Sequence, residues 1–259
     1  MTRNQKPTPA LAMSRRQALR RTLMGVSLGW LMPWRVGAGM AHAATPVTLL
    51  PSTAITYAVS GKKSGIRYTA TATLRWQRNA TRYIAALSAS LLVFLKREQT
   101  SSGQVVAGLP APRRFVDKGK RIRQADLDPV TQRIRYTEAG GAPWTADTQD
   151  RVSLFFALPA AVKRAQAAGL KQFGFPVTSA NALAEWTVAI EPRETITAPL
   201  GTWAALRLRR IVDTTRDTQA TIWLAGSHDL LPVRILLEEP DGTFLDQRIS
   251  QQTPLPDLT

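Results

Sequence analysis

Alternation of apolar and polar residues with a period of two dominates the chain. From Arg67 to Gln77, Tyr68, Ala70, Ala72, Leu74 and Trp76 are apolar while Arg67, Thr69, Thr71, Thr73 and Arg75 are polar, the pattern of a strand with one buried and one wet face. Asn79-Ala80-Thr81 reads as a turn, and Tyr83, Ala85, Leu87, Ala89 and Leu91 carry the alternation back along an antiparallel neighbour. Short runs follow at Phe94 to Ser101, Arg113 to Asp117, Ile122 to Leu127 and, after an Asp128-Pro129 turn, Arg133 to Thr137. A second series places Trp186, Val188 and Ile190 on one face, then Leu206 and Leu208, Ile222 and Leu224, Val233, Ile235 and Leu237, and finally Leu245 and Ile249. Gly226 to Asp229 and Asp241-Gly242 mark turns in this series, and Gln251 to Thr259 is expected to fray.

One segment changes period. From Asp150 to Ala168, Val152, Phe155, Phe156, Leu158, Val162 and Ala165 recur at helical spacing, and Gly169 is a natural stop. Asp147 or Thr148 is expected to cap the start, and Pro159 to kink the helix or split it. The fold class that follows is mainly β: about ten antiparallel strands in a curved, open half-barrel-like sheet packed on one kinked helix, with a closed barrel or a sandwich as alternatives.

The first 43 residues follow neither period. Ser14-Arg15-Arg16-Gln17 precedes an apolar stretch from Thr22 to Met32, and Ala41-His42-Ala43 has the small-residue form of a cleavage site. A membrane-spanning helix needs about 20 apolar residues, more than this stretch offers. Residues 1–43 are therefore expected to be a twin-arginine-type signal peptide, cleaved after Ala43, and residues 44–259 a single β-rich domain in the periplasm with no transmembrane segment.

Removing the leader changes the charge. The chain carries +16, but the leader holds seven of its 34 basic residues and no acid, leaving 27 basic against 18 acidic residues, or +9. Ala44 to Arg97 has eight basic residues and no acid, so the basicity is concentrated in the first third. The chain lacks cysteine, which rules out disulfides and lipid attachment through a leader cysteine. His228 is the one histidine past the leader, and no zinc, haem or triad constellation can be assembled around it. No metal site and no cofactor are expected.

Two short motifs mimic catalysis. Gly25-Val26-Ser27-Leu28-Gly29 has nucleophile-elbow spacing but lies in the leader, and Gly226-Ser227-His228-Asp229 is contiguous, which prevents its side chains from forming one relay. The near pairs Asp126/Asp128, Glu191/Glu194 and Glu238/Glu239 leave open a carboxylate-dependent hydrolase of an envelope polysaccharide. Nucleic acid is not expected as a partner, because Tyr68, Trp76 and Tyr83 lie on the apolar strand face rather than the basic one.

Asp150-Arg151-Val152-Ser153, Thr197-Ala198-Pro199-Leu200-Gly201-Thr202, Trp223-Leu224-Ala225 and Leu231-Pro232-Val233-Arg234-Ile235, followed by Asp241-Gly242 and Asp246-Gln247, occur in this order. This series resembles the domain of unknown function 3108 family from about Leu50 to Gln252. The resemblance implies an exported, β-rich bacterial envelope protein and transfers no catalytic or binding residue. Arg151 and Arg234, set among apolar neighbours, are expected to need carboxylate partners, with Asp150, Asp213 and Asp246 available.

These observations favour a non-enzymatic binding or envelope-maintenance protein over the hydrolase. Trp76, Leu87, Phe155 and Phe156 are the expected lining of an apolar site between helix and sheet, and Arg67, Arg75 and Arg82 the expected contacts for a lipid, lipopolysaccharide or other anionic envelope component. Protein partners are not legible. Replacing Arg15 and Arg16 together by Lys should strand an uncleaved precursor in the cytoplasm, whereas the unaltered protein should begin at Ala44. Cell fractionation with N-terminal sequencing measures both outcomes.

Overall fold

The computed structural model describes residues 49–91, 95–138, 140–212, 217–226 and 230–259; the expected leader, with Arg15, Arg16, Ala41 and Ala43, lies outside them. Eight strands come first: β1 (Thr53–Lys63), β2 (Ile66–Arg78), β3 (Arg82–Leu91), β4 (Leu95–Val106), β5 (Leu109–Lys118), β6 (Ile122–Asp128), β7 (Arg133–Tyr136) and β8 (Gly141–Pro143). A two-residue strand, β9 (Gln149–Asp150), leads into helix α1 (Leu154–Ala167). Six more follow: β10 (Gln172–Thr178), β11 (Leu183–Ala198), β12 (Gly201–Ile211), β13 (Gln219–Ala225), β14 (Leu231–Glu238) and β15 (Phe244–Pro254).

All 15 strands of the described residues form one sheet in the order β8-β7-β6-β5-β4-β3-β2-β1-β15-β14-β13-β12-β11-β10-β9. The sheet is open, with β8 and β9 at its edges, so neither a closed barrel nor a two-sheet sandwich is formed. It has 15 strands rather than about ten. The unanticipated ones are β1, β8, β9 and β10. Strand β1 has only a weak contrast between its faces, because Thr53 points inward with Ile55, Tyr57 and Val59 while Ala54 and Ala58 lie on the other side. β8 and β9 are three and two residues long, too short to show a period. Strand β10 contains Gly174 and Pro176, which read as loop residues. The proline is tolerated because β9 pairs only with Val177 and Thr178, leaving Pro176 where that side of β10 has no strand neighbour.

Helix α1 packs against β5, β9 and β10, and the sheet curls far enough for β9 to reach β5, where Gln149 Nε2 donates to Pro110 O at 3.0 Å. The helix runs unbroken through Pro159. It stops as expected: Gly169 has φ +67°, its N–H bonds Gln166 O, and the Leu170 N–H bonds Ala165 O at 2.8 Å, the paired bonds of a Schellman motif. Its start is different. Neither Asp147 nor Thr148 caps it; Asp150 Oδ1 accepts the N–H groups of Val152 and Ser153, and the Asp150 N–H returns a bond to Ser153 Oγ. This is a capping box one turn ahead of the helix, in which Ser replaces the usual Glu.

The core is continuous from sheet to helix. The Trp76 ring lies between Tyr83 at 5.0 Å and Phe156 at 4.1 Å, both nearly parallel to it, and its indole N–H donates to Leu50 O at 3.0 Å. Burying such a ring contributes about 4 to 6 kcal/mol. The C-terminal segment is ordered rather than frayed. Leu255 N–H bonds Ser52 O, Leu258 N–H bonds Arg78 O, and the Asp257 carboxylate accepts from Ser52 Oγ. Trp76→Ala should therefore cost about 3 to 5 kcal/mol in urea unfolding, much more than replacement of an exposed residue such as Val130.

Candidate functional site

Beneath the Trp76 stack runs a buried polar chain. The Tyr83 hydroxyl lies 2.9 Å from Ser101 Oγ, which donates to Asp150 Oδ2 at 2.5 Å, so one carboxylate ties β3 and β4 to the helix start. Asp150 and Ser101 have no solvent exposure. Burial pushes the Asp150 carboxyl up to about 6, against the opposing effect of the bond from Ser101 and the backbone bonds from Ser153 and Val152. Burial, and then the nearby Asp150 charge, raise the Tyr83 phenol.

Next to this chain, α1 faces β11 to β13 across a narrow apolar crevice. Leu154 and Leu158 form one wall, and Trp186, Val188, Leu208, Ala220 and Ile222 the other. The free space is about 10 Å³, room for a single water-sized group. Arg210 closes its mouth. Its guanidinium lies 4.7 Å from the centre of the Trp186 ring, donates to Thr218 O at 2.8 Å and pairs with Asp217 at 3.4 Å. This side chain is only 13% exposed, and its Nε is buried with no hydrogen-bond partner among the described residues.

Further charges stand near Arg210. Arg151 is exposed in the turn just before the helix, three residues ahead of Leu154. Burial first, then the like charge of Arg97, lowers the affinity of Arg151 for its proton; Asp117 opposes this and Arg210 adds to it. Arg97 itself grips Asp117 with a two-pronged bond of 3.0 and 2.6 Å. Of these charged groups, Arg210 alone lines the apolar crevice; Arg151, Arg97 and Asp117 form a neighbouring charged cluster close enough to act on one another.

The residues singled out from sequence are distributed differently. Trp76, Phe155 and Phe156 are buried core residues, Leu87 is half-buried against the same core, and none of the four lines the crevice. Arg67, Arg75 and Arg82 are exposed, as expected of a wet face, but Arg67 and Arg75 lie eight residues apart on β2, roughly 26 Å at about 3.3 Å per residue, too far to grip one headgroup. Arg234 finds Asp246 through bonds of 2.8 and 3.0 Å, and Arg248 shares that carboxylate at 3.1 Å. Asp150 does not pair with Arg151, and Asp213, like the turn containing His228, lies outside the described residues.

Most of the expected carboxylate pairs have structural partners. Asp126 accepts from Arg114 and Gln124; Asp128 holds the turn at Val130 and Thr131. Glu191 pairs with Arg207 and Arg209, and Glu194 accepts the Trp223 indole N–H. No cluster of three or more potential metal ligands occurs among the described residues, and no helix there is long and apolar enough to cross a membrane.

The crevice and its arginines were not legible in advance, because α1, β11, β12 and β13 come together only through the sheet order. The one available signal was the pair Trp186 and Arg210, each at the polar end of an apolar run.

A single curved, almost wholly antiparallel sheet wrapped on one helix defines a β-rich fold class. The chain belongs to the family described as "Protein of unknown function (DUF3108)", whose profile matches residues 52–248. Among solved structures, the fold is shared with a β-barrel-like protein of domain of unknown function DUF1849 from Brucella abortus, at 12% identity and a TM-score of 0.55, covering 81% of this chain and all of that one. A putative outer membrane lipoprotein-sorting protein domain from Vibrio parahaemolyticus aligns at 9% identity over 81% of this chain and 87% of its own, with a TM-score of 0.30. No curated protein matches the chain.

The buried carboxyl makes stability depend on pH. Asp150 holds its proton more tightly in the folded chain, about 6 against about 4 unfolded. Its contribution is therefore complete below about pH 4 and is lost as pH rises through about 6, by about 3 kcal/mol in total. Chemical denaturation at pH 4.5 and 7 should show this fall, and Asp150→Asn, which keeps the amide acceptor and adds a donor toward Ser101, should remove it.

Proposed function

We propose that this chain is a non-catalytic binding protein of the bacterial cell envelope, exported by the twin-arginine route, that takes up an anionic amphiphile. The carrying observation is the apolar crevice between α1 and β11 to β13 with the nearly buried Arg210 as its one charged lining residue. An acyl chain suits the leucine and isoleucine walls, and a carboxylate or phosphate suits the Arg210 guanidinium. At about 10 Å³ the crevice does not hold a chain as it stands, so uptake requires Leu154 and Leu158 to separate from β11 to β13. Leu154 directly follows the start that Asp150 pins to Ser101, so the opening falls to side-chain rearrangement of Leu154 and Leu158 and to displacement of β11 to β13.

The test is a thermal-shift series with oleate, phosphatidylglycerol and, as an uncharged control, oleyl alcohol. The two anions should raise the melting temperature in proportion to the logarithm of concentration above their dissociation constants. Arg210→Gln should weaken both anions by about tenfold and leave the alcohol unchanged. Absence of a shift with every amphiphile, or an Arg210→Gln protein that binds oleate as the parent does, overturns the reading.

A further inference from the structure

A second site lies at the opposite end of the strands, around the β2–β3 and β4–β5 connections. Its origin is one glycine. Gly103 in β4 faces a bulge: Ser102 pairs with Arg114 and Gly103 with Pro112, so Arg113 is the extra residue of β5. A side chain at position 103 would collide with Ala111 O at 2.2 Å and Pro112 Cα at 2.8 Å, so the two backbones approach this closely only at glycine. Bulges re-aim side chains, and this one sends Arg113 to the edge of a groove.

That groove is open and has a volume of about 470 Å³, within the range of small-molecule sites. Its lining includes Arg82, Ile84, Gln104, Arg113, Leu258 and Thr259, whose oxygen is an acceptor for Arg82, and no Asp or Glu side chain. Arg113 Nη2 donates to Gln104 Oε1 at 2.7 Å, which orients the guanidinium, while its Nη1 is buried with no partner among the described residues. A buried donor without an acceptor is costly, and an oxyanion is the acceptor that a guanidinium fork fits best. Arg82 forms the second cation, with Nη2 donating to Thr259 O at 3.0 Å. Ile84, 46% exposed, and Leu258 supply an apolar side to the same groove.

We propose that the groove between Arg82 and Arg113 is an oxyanion-binding site, separate from the crevice under α1, that takes a carboxylate- or phosphate-bearing small molecule with an apolar portion against Ile84. The rigid guanidinium of Arg113 is held by Gln104 and provides the directional contact; exposed Arg82 provides charge. Lysine cannot replace Arg113, since an ammonium lacks the paired N–H geometry.

The experiment follows arginine side-chain N–H signals by NMR at low salt while titrating inorganic phosphate, acetate and octanoate into the parent protein. Arg113 and Arg82 signals should shift saturably, and octanoate should bind more tightly than acetate because its chain reaches Ile84. Arg113→Gln and Arg113→Lys should each weaken binding by about tenfold or more, Arg82→Gln by less, and Arg210→Gln not at all. Tighter phosphate than octanoate binding would assign the site to phosphate rather than carboxylate and still support it. Shifts that do not saturate, or folded Arg113 variants that bind within twofold of the parent, overturn the proposal. Should the Arg113 variants fail to fold, Gln104→Leu, which frees the guanidinium from its support, must weaken binding as well; unchanged affinity in that variant overturns the proposal equally.

Discussion

A helix laid on a curved sheet needs one contact that fixes both its height and its rotation, and here the stack of Phe156 on Trp76 sets the height while the Asp150 carboxylate sets the rotation. The two act on adjacent parts of the molecule. Trp76 and Tyr83 belong to neighbouring strands, and the Tyr83 hydroxyl continues through Ser101 to the residue that caps α1. A change in the helix start is therefore transmitted to β3 and β4 without leaving the core. The arrangement carries an electrostatic cost, since a carboxylate with no cationic partner is held in a dry interior, and its compensation comes from four hydrogen bonds, three of them to its own oxygens from Ser101, Val152 and Ser153.

Charge elsewhere is handled differently. The outward face of β11 to β15 carries a connected set in which Trp223 lies under Arg234 at 4.4 Å and Arg207 at 5.7 Å, with Glu194 on its indole N–H and Asp246 bridging Arg234 and Arg248. Every member has a partner, so the network reads as a clasp that holds the β11–β12 hairpin against β14 and β15; Arg248 also donates to Thr197 O. Four arginines, Arg113, Arg123, Arg207 and Arg210, keep a buried guanidinium nitrogen without a hydrogen-bond partner among the described residues; the last three stand beside Glu138, Glu191 and Asp217, and of the four Arg113 alone has no ion-pair partner there.

Long alternating segments were legible in the sequence because one face of each meets the core: Tyr68 to Trp76 and Tyr83 to Leu91 foretell β2 and β3, and the turn at Asn79 follows from a side chain that accepts the Thr81 and Arg82 N–H groups. Gly169 foretells the helix end for an equally local reason. What escaped depends on partners distant along the chain. Strand β1 is defined by β2 and β15 rather than by its own contrast, and Asp150 acts as a cap because Ser153 replaces the Glu of the familiar motif. The crevice combines residues from 154 to 222, and the groove requires a register shift opposite Gly103 that no single strand reveals.

Strand order has a topological consequence. Thr53 pairs with Pro254, so β1 and β15, first and last in chain order among the described strands, lie side by side, while the β8 and β9 edges are joined through Trp144 to Thr148. Linking the paired ends and cutting between β8 and β9 would yield a circular permutant whose strands read in simple succession from one edge to the other, each adjacent to its predecessor. In the native chain every strand but one pairs with its predecessor in this way, and at the one seam β1 must wait for β15, the strand farthest from it among the described residues. The seam is the strand pairing with the largest loop to close, and a permutant without it would pair each strand with its predecessor.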